Sequence, residues 1–535
     1  MEQNNLMIGI FSKVRRKLVK FNEYSIWLRK NEKYKNNYEL DENQRFSIIV
    51  IGNKKNRCIA SIRKQKYKNF ELTLSKTWNE KKIPLGEWIL VVDSNTVLEE
   101  NILFEIVQIT QKQSCDIIYF DEDNLDIVTG KRKRPFFKPN WSPDTLMSFM
   151  YFGQVFAVKR SIFTQIANEV DWDREDVIYD LALRATELTQ KVAHVSKILI
   201  HNINRRRKYN DENVKEKALI RRGLSGYLQY IKEMNCNRVV YLPVNNPLVS
   251  IIILSKNNYN MMEKCINSIL KYTAYGNYEI ILVDNGSEGQ QYDKYNEFTI
   301  EKHIKYIYRK MEFNFSFMCN CGGKVSKGEF VLFLNDDIEI PSKDPLWLEK
   351  MLGQAQLSHV AMVGAKLLYP GTDIIQHDGI INLKEGPAHI LCKAHDSKNY
   401  YYGRNRVEYN YSSVTAACMM VEKKIYTQLG GFNNELPVAY NDVDICLKAV
   451  EKGYYNVVRN DVCLYHHESV SRGLDIEQDK KNRLMKEKEK LYMSHTALYV
   501  NDPFYNINLS NQDGDFSLNI SSVSYTHLRA HETSQ

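Results

Sequence analysis

The sequence predicts an α/β protein made of two tandem copies of one unit, each with a mostly parallel central sheet, plus helical N- and C-terminal segments. Three observations carry this. The chain repeats itself in order, each copy alternates buried strands with amphipathic helices, and 535 residues are too many for one ordinary core.

The repeat is read directly. "FSIIVI" (46–51) recurs as "VSIIIL" (249–254), "RCIASI" (57–62) as "KCINSI" (264–269), and "YKNFELTL" (67–74) as "YGNYEIIL" (275–282). "GEWILVVDSN" (86–95) matches "GEFVLFLNDD" (328–337), "DLALRATE" (180–187) matches "DICLKAVE" (444–451), and "KILIHN" (197–202) matches "VCLYHH" (462–467). Between the copies lies a charged connector read as helical, and "YLPVNNP" places a boundary near 245.

Each element of the second copy has a local cause. The continuous apolar run "LVSIII" is a strand buried on both faces, as a parallel sheet requires. Met262, Cys265, Ile266, Ile269 and Leu270 then recur at helical spacing, and "YEIILV" follows as the next strand of a right-handed βαβ unit. In "GGFNNELPVAYNDVDICLKAVEKG", Val443, Cys446, Leu447 and Val450 form a helical stripe that starts at Asn441-Asp442 and stops at Gly453.

Composition narrows the function. Apolar and charged fractions of 43% and 26% are those of a globular chain. A net charge of +8 is small for this length and points away from nucleic acid, while suiting an anionic small ligand or an anionic membrane surface. The ten cysteines stand singly in apolar stretches, so buried thiols in a reducing cytoplasm are expected, with Cys319 and Cys321 as packing residues. No run reaches the roughly 18–20 apolar residues of a bilayer span and no secretion leader is evident. The start, "LMIGIFSKVRRKLVKF", sets Ile10, Val14, Leu18 and Phe21 at helical spacing among basic residues, which fits either an anionic leaflet or a helix docked on the first unit.

In an open α/β sheet ligands bind at the carboxyl ends of strands. Three strands of the second copy end in polar residues there: Ser255-Lys256-Asn257-Asn258, Asp284-Asn285-Gly286-Ser287, and Asn335-Asp336-Asp337. No GxGxxG follows any of them, which weighs against a dinucleotide. Adjacent carboxylates repel unless a cation sits between them, and hard oxygen ligands select Mg²⁺ or Mn²⁺, commonly shared with substrate phosphates. Alone, an Asp pair after a strand reads as a solvated turn; three coincident strand ends favour a site. Asp442 alone reads as a helix-end acid stabilised by the helix dipole, yet its position would also hold a general base rigidly.

On "VSIIILSKNN", "EIILVDNGS", "GEFVLFLNDDIEI", "GGFNNELPVAYNDVDICLK" and "LYHHESVSRG", residues 247 to about 473 resemble the family-2 glycosyltransferases of the GT-A fold, especially bacterial enzymes of rhamnose-containing and other surface polysaccharides. "DPFYNINLS" (502–510) is similar to their closing segment. The resemblance implies inverting transfer from a UDP- or dTDP-sugar to a glycan or lipid-linked acceptor, with a peripheral membrane contact. It implies that Ser255, Asn257, Asp284, Asn320 and Asp336 hold the nucleotide sugar, and that Asp337 ligates Mn²⁺ or Mg²⁺ in the DxD position. Asp442 stands at the catalytic-base position. His466 completes the metal sphere, preferred over His467 because the repeat pairs it with His201. His377, His389 and Asn441 fall on the acceptor side.

The first copy resembles the same fold more weakly and has lost the charged set: Lys76 stands against Asp284, Asn95 against Asp337, and Ile178 against Asp442. It reads as a scaffold or glycan-holding surface, with Asp93, Asp121, Glu122, Asp123, Glu175 and Asp176 either an altered site or, the preferred reading, solvated acidic loops. The expected division is a basic helical arm (1–44), a degenerate GT-A-like unit (45–205), a helical connector (206–246), the catalytic unit (247–473), a C-terminal helix and tail (474–522), and a non-native stretch (523–535). Two other readings stay open: a glycan-binding or scaffold module without catalysis, and a nucleotidyltransferase, which would want a glycine-rich loop that "SKNNYN" lacks.

Overall fold

The computed structural model describes residues 23–32, 43–52, 56–74, 84–203, 210–467 and 478–520. The expectations for the basic segment 1–22, for Lys76 and for 523–535 lie outside the described residues.

Two large sheets carry the same strand order. In the first, Phe70–Leu74, Phe46–Ile51, Trp88–Asp93, Val155–Lys159, Ile117–Leu125, Val192–Asn202 and Thr96–Leu98 lie side by side. In the second, Tyr278–Asp284, Val249–Ser255, Phe330–Asn335, Cys418–Glu422, Val360–Leu368, Tyr455–His466 and Ile338–Glu339 repeat that order, and Lys305–Tyr308 extends the edge. The pairing senses also repeat: the first three strands of each series are parallel, the fourth is antiparallel to both neighbours, and the fifth and sixth are parallel. The sheets are therefore mixed, with a parallel block next to one reversed strand. The duplication seen as short sequence matches is a duplication of topology.

The burial pattern follows the side-chain chemistry. Strand Val249–Ser255 is buried almost throughout, as a parallel strand covered on both faces must be. Helix Tyr259–Tyr272 buries Met262, Cys265, Ile266 and Ile269 against it, whereas Leu270, expected in the same stripe, is 42% exposed because it falls past the edge of the face. All ten cysteines are free thiols. Among the described residues no helix is long and apolar enough to cross a membrane.

The connector differs from expectation. Helix Glu212–Arg221 is followed by an antiparallel hairpin, Gly226–Ile231 with Cys236–Tyr241, turning through Asn235 at φ 51°. "GYLQYI" and "NRVVY" are rich in β-branched and aromatic residues, and the cross-strand pairing they permit outweighs the helical reading of a charged segment.

The copies share a polar contact built on Asp144. Its carboxylate accepts from Gln354 Nε2 (2.6 Å) and Asn410 Nδ2 (2.7 Å), with His359 Nε2 at 3.2 Å. Beside it, Arg238 Nε donates to Glu408 at 2.7 Å. The C-terminal segment ties back to the first copy, where Asn506 Nδ2 donates to Asp121 Oδ2 (3.0 Å) and Asn508 Nδ2 to the Ser196 carbonyl (2.9 Å).

Candidate functional site

Three strand ends of the second copy converge. Ser255 Oγ donates to Asp336 Oδ2, and Asn258 Nδ2 reaches the same oxygen at 3.2 Å. The Tyr295 hydroxyl lies 2.6 Å from Ser255 Oγ and accepts from Asn258 N at 3.0 Å, so a buried tyrosine braces the loop that leaves the first strand. Asn257 adopts φ 50°; its N–H donates to Ser287 Oγ (2.9 Å) and its Oδ1 accepts from Glu288 N (3.1 Å). Two strand-end loops are thereby bonded into one wall.

Asp284 is fully buried. Its Oδ1 accepts from Ser287 N and Oγ, both 2.8 Å, and its Oδ2 from the Tyr306 hydroxyl at 2.6 Å. Asn320 is engaged in holding residues 432–434: its Nδ2 donates to the Phe432 carbonyl (2.8 Å) and Asn434 Oδ1 (2.9 Å), while its Oδ1 accepts from Phe432 N (3.0 Å). The structure thus gives Asn320 a loop-holding role.

Asp336 and Asp337 are 9% and 5% exposed. Burial raises the Asp336 carboxyl to about 6, the neighbouring Asp337 charge adding to the rise and hydrogen bonds from Ser255 and Asn258 opposing it. Asp337 Oδ1 lies 3.1 Å from His466 Nε2 and has no hydrogen-bond donor among the described residues. His466 is oriented from its other nitrogen, with Nδ1 2.5 Å from Gln376 Oε1. His467 is turned to Glu339 (2.8 Å). The register places His466 opposite Ile338, next to Asp337. Among the described residues no three His, Cys, Asp or Glu side chains form a closed metal cage. A buried, undonated carboxylate oxygen beside a second strained acid and an imidazole fits a divalent cation whose remaining ligands come from substrate.

Asp442 is the second residue of helix Asn441–Glu451. Its Oδ2 accepts from Ala416 N at 3.1 Å, and one residue on, the Ala417 carbonyl accepts from Asn335 N at 3.0 Å. The same short loop therefore fixes Asp442 beside the end of the strand that carries Asp336-Asp337. Asn441 is buried and donates to the Leu436 carbonyl (3.4 Å). His377 is fully buried; its Nε2 faces Thr415 N (3.4 Å) and its Nδ1 faces His389 Nδ1 (2.9 Å). Burial, and then the charges of His389 and His466, hold His377 well below the usual imidazole range. Of this pair only His389 is exposed.

The corresponding edge of the first copy is closed by its own side chains. His201 sits opposite Val97, with Nδ1 2.6 Å from Asp123 and Nε2 2.9 Å from Glu99. Arg132 Nε donates to Asp123 (2.6 Å) and its Nη1 to Glu32 (2.7 Å), and the Tyr24 hydroxyl donates to Asp123 (2.6 Å). Asp121 accepts from Lys138 N and faces His194, both at 2.8 Å, and Glu122 pairs with Lys138 at 3.2 Å. Asp121, Glu122 and Asp123 are buried in strand Ile117–Leu125, which corrects the solvated-loop reading: Arg132 and Lys138 reach them from the segment that follows, and His194, His201 and Tyr24 from far along the chain.

Tyr295 and Tyr306 escaped sequence reasoning, since a tyrosine inside an amphipathic helix or an edge strand carries the same signal as a core aromatic. Ser287 and Asn258 stood in the quoted strand ends, and a polar residue two or three positions past a strand was the available cue.

Residues 250–430 match the model of the family described as Glycosyl transferase family 2. The protein y4gI of Sinorhizobium fredii is 32% identical over 459 residues, covering 82% of this chain and 50% of that protein. The O-antigen biosynthesis protein RfbC of Myxococcus xanthus is 28% identical over 405 residues, 73% of this chain and 31% of that one. The chain spans half or less of the length of these two relatives. Among solved structures, mannosyltransferase PcManGT from Pyrobaculum calidifontis, in complex with GDP-Man and Mn²⁺, is 15% identical with a TM-score of 0.35, covering 48% of this chain and 71% of that one. Residues 250–430 of this chain are thus similar to glycosyl transferase family 2.

Proposed function

We propose that the second copy transfers a sugar, with inversion, from a UDP- or dTDP-sugar to a glycan or lipid-linked acceptor during synthesis of a bacterial cell-surface polysaccharide, and that the first copy serves as a scaffold. The observation that carries this is the pairing of two buried acids at one strand end with Asp442, held next to them through Ala416 and Ala417. The family match and the relative named for O-antigen biosynthesis support the same reading. The acceptor in a peripheral, membrane-apposed position suits the net charge of +8.

Asp442 accepts the proton of the acceptor hydroxyl as that oxygen bonds to the anomeric carbon. The bond from that carbon to the diphosphate oxygen breaks on the opposite face, and its electron pair leaves with the nucleoside diphosphate. Asp284 and the Ser255–Asn258 loop hold the nucleotide; Asp337 and His466, with Asp336, would hold Mn²⁺ or Mg²⁺. A cation there supplies charge neutralisation for the departing diphosphate. Ala416 N donates to Oδ2 of Asp442 and Val443 N to its Oδ1, and the two together hold the carboxylate in one orientation.

The test is thermal stability with UDP or dTDP, with and without Mn²⁺, for wild type and Asp337→Ala. A ligand at 100 times its Kd stabilises by about 2.7 kcal/mol. The expected result is a manganese-dependent shift that Asp337→Ala abolishes, and transfer that Asp442→Asn abolishes while keeping the shift. A folded wild type that shifts with neither nucleotide would favour the second reading, a glycan-binding module of a polysaccharide assembly.

A further inference from the structure

The loop that delivers Asp442 is gripped on two sides. Its carbonyls are held by the start of helix Phe315–Val325: Asn314 Nδ2 donates to Asn434 O (2.9 Å), Phe315 N to Pro437 O (2.7 Å), and Ser316 Oγ to Leu436 O (2.7 Å). Its amides are held by one side chain of the C-terminal helix Gln478–Ser494. Glu487 Oε2 accepts from Ala439 N (2.6 Å) and Val438 N (3.3 Å). Glu487 is only 4% exposed, with Arg483 Nε at 3.4 Å from its other oxygen.

The next residue shows why a grip is needed. Tyr440 stands at φ 57°, ψ 7°, a left-handed conformation that a residue with a side chain adopts only when its surroundings impose it. Asn441 and Asp442 follow at once, so relaxation of Tyr440 would swing the carboxylate off the strand end. The same C-terminal helix also fixes the body of the base helix. Leu491 packs on Val443 and Leu447, and His495, just past its end, lies 3.2 Å from Asp444 and 2.8 Å from Glu451. Lys488 Nζ reaches the Glu385 carbonyl (2.7 Å) in the turn of the hairpin that ends at His389.

We infer that Glu487 is a positioning residue for the transfer reaction, holding the 438–440 turn so that Asp442 meets the acceptor hydroxyl. This rests on the reading of Asp442 as the base. A carboxylate suits the task because one oxygen accepts two neighbouring backbone N–H groups of a half-buried turn.

The experiment compares Glu487→Ala and Glu487→Gln with wild type by three readouts. They are nucleotide release from UDP-glucose or dTDP-rhamnose, the UDP–Mn²⁺ thermal shift, and amide exchange at Val438 and Ala439. Glu487→Ala is expected to lower kcat by about 10- to 100-fold, the scale set by displacing a reacting group by about 1 Å. KM for the donor stays within about 2-fold, because ground-state binding is untouched. The thermal shift is kept and the two amides exchange faster. Glu487→Gln, whose amide oxygen can accept the same bonds, recovers most of the rate. An unchanged kcat in a folded Glu487→Ala protein, or kcat and nucleotide binding falling together, overturns the assignment. Unchanged exchange at both amides overturns the grip itself. A wild type that turns over neither donor removes the base reading and the positioning role with it, while exchange still decides whether Glu487 holds the loop.

Discussion

Asp144→Ala measures how strongly the two copies are coupled. The carboxylate is buried and accepts from Gln354 and Asn410 of the other copy, which are 1% and 0% exposed. Truncation leaves Gln354 Nε2 without its acceptor and Asn410 Nδ2 with only the Asn456 carbonyl at 3.4 Å, both buried. A buried orphan costs about 1–3 kcal/mol, so the two together cost about 2–6 kcal/mol. His359 adds little, since its side chain is 37% exposed and solvent can replace the lost partner. Burial would raise the Asp144 carboxyl, but the His359 charge and the hydrogen bonds from His359, Asn410 and Gln354 hold it below its ordinary value. A lowered folded value means that the stabilisation is present above the unfolded value of about 3.9 and is lost as pH falls through the folded one. Urea unfolding at neutral pH should show a midpoint lowered by an amount equivalent to about 4 kcal/mol with the slope unchanged. Asp144→Asn should fall in between, because its single carbonyl can serve one donor while its NH₂ faces the other. A loss below about 1 kcal/mol for the alanine variant would refute the coupling argument. So would a wild type that unfolds in two separate steps of which only one moves.

Tyr306→Phe removes the hydroxyl that donates to Asp284 Oδ2 at 2.6 Å, and UDP affinity by isothermal titration should fall about 10-fold; an unchanged Kd would separate Asp284 from nucleotide binding. His201 is set by opposing causes: burial and the Arg132 charge lower it, while hydrogen bonds to Asp123 and Glu99 and the charge of Asp123 raise it to about 9. A raised folded value means stabilisation that is complete below the unfolded value of about 6.5 and lost as pH rises through 9, about 3 kcal/mol at about 1.4 kcal/mol per unit, and His201→Gln should flatten that part of the profile in urea midpoints. Arg132→Ala strips the cation from Asp123, Glu32 and Glu99; unfolding in urea should come about 3–5 kcal/mol earlier, and an unchanged midpoint would mean that this cluster does not hold the edge together.

What could be read from sequence was what is local. The strand Phe330–Asn335 and its acidic end, the helix beginning at Asn441 and its stop at Gly453 are short-range patterns with counterparts in the structure, whereas the repeat that pairs His201 with His466 is off by one in strand register: Val97 faces His201, but Ile338, the counterpart of Thr96, faces His466. The hairpin at 226–241 was missed because a charged, loosely periodic segment gives no reliable helical or strand period, and cross-strand pairing decided it. The acids of 121–123 looked solvated because Lys138, His194, His201 and Arg132, which compensate them, enter the contact only through the fold. Glu487 was invisible for a similar reason. In "KEKEKL" it is one of two acids, and only the packing of the C-terminal helix turns it inward while Lys486 and Glu489 face solvent.

The two histidines, paired by the sequence repeat and one residue apart in strand register, show how one topology holds two electrostatic states. In the first copy His201 meets two carboxylates, and Arg132 neutralises one of them from 2.6 Å, with Tyr24 donating to the same acid. Positive charge is built in, and the edge is satisfied by the chain itself. In the second copy His466 meets one carboxylate, Asp337, with Asn335 Nδ2 also 3.3 Å from the same nitrogen; its other nitrogen is spent on neutral Gln376, and Asp336 is raised to about 6 mainly by burial and also by its acidic neighbour. Two buried acids beside an imidazole, with one oxygen undonated, form an arrangement that an external cation would relieve. The difference between the copies therefore lies in the charge balance of a whole edge. Replacing Asp337 by Asn, the residue found at the matching position of the first copy, would remove the demand for a cation without supplying the arginine that made its loss harmless there.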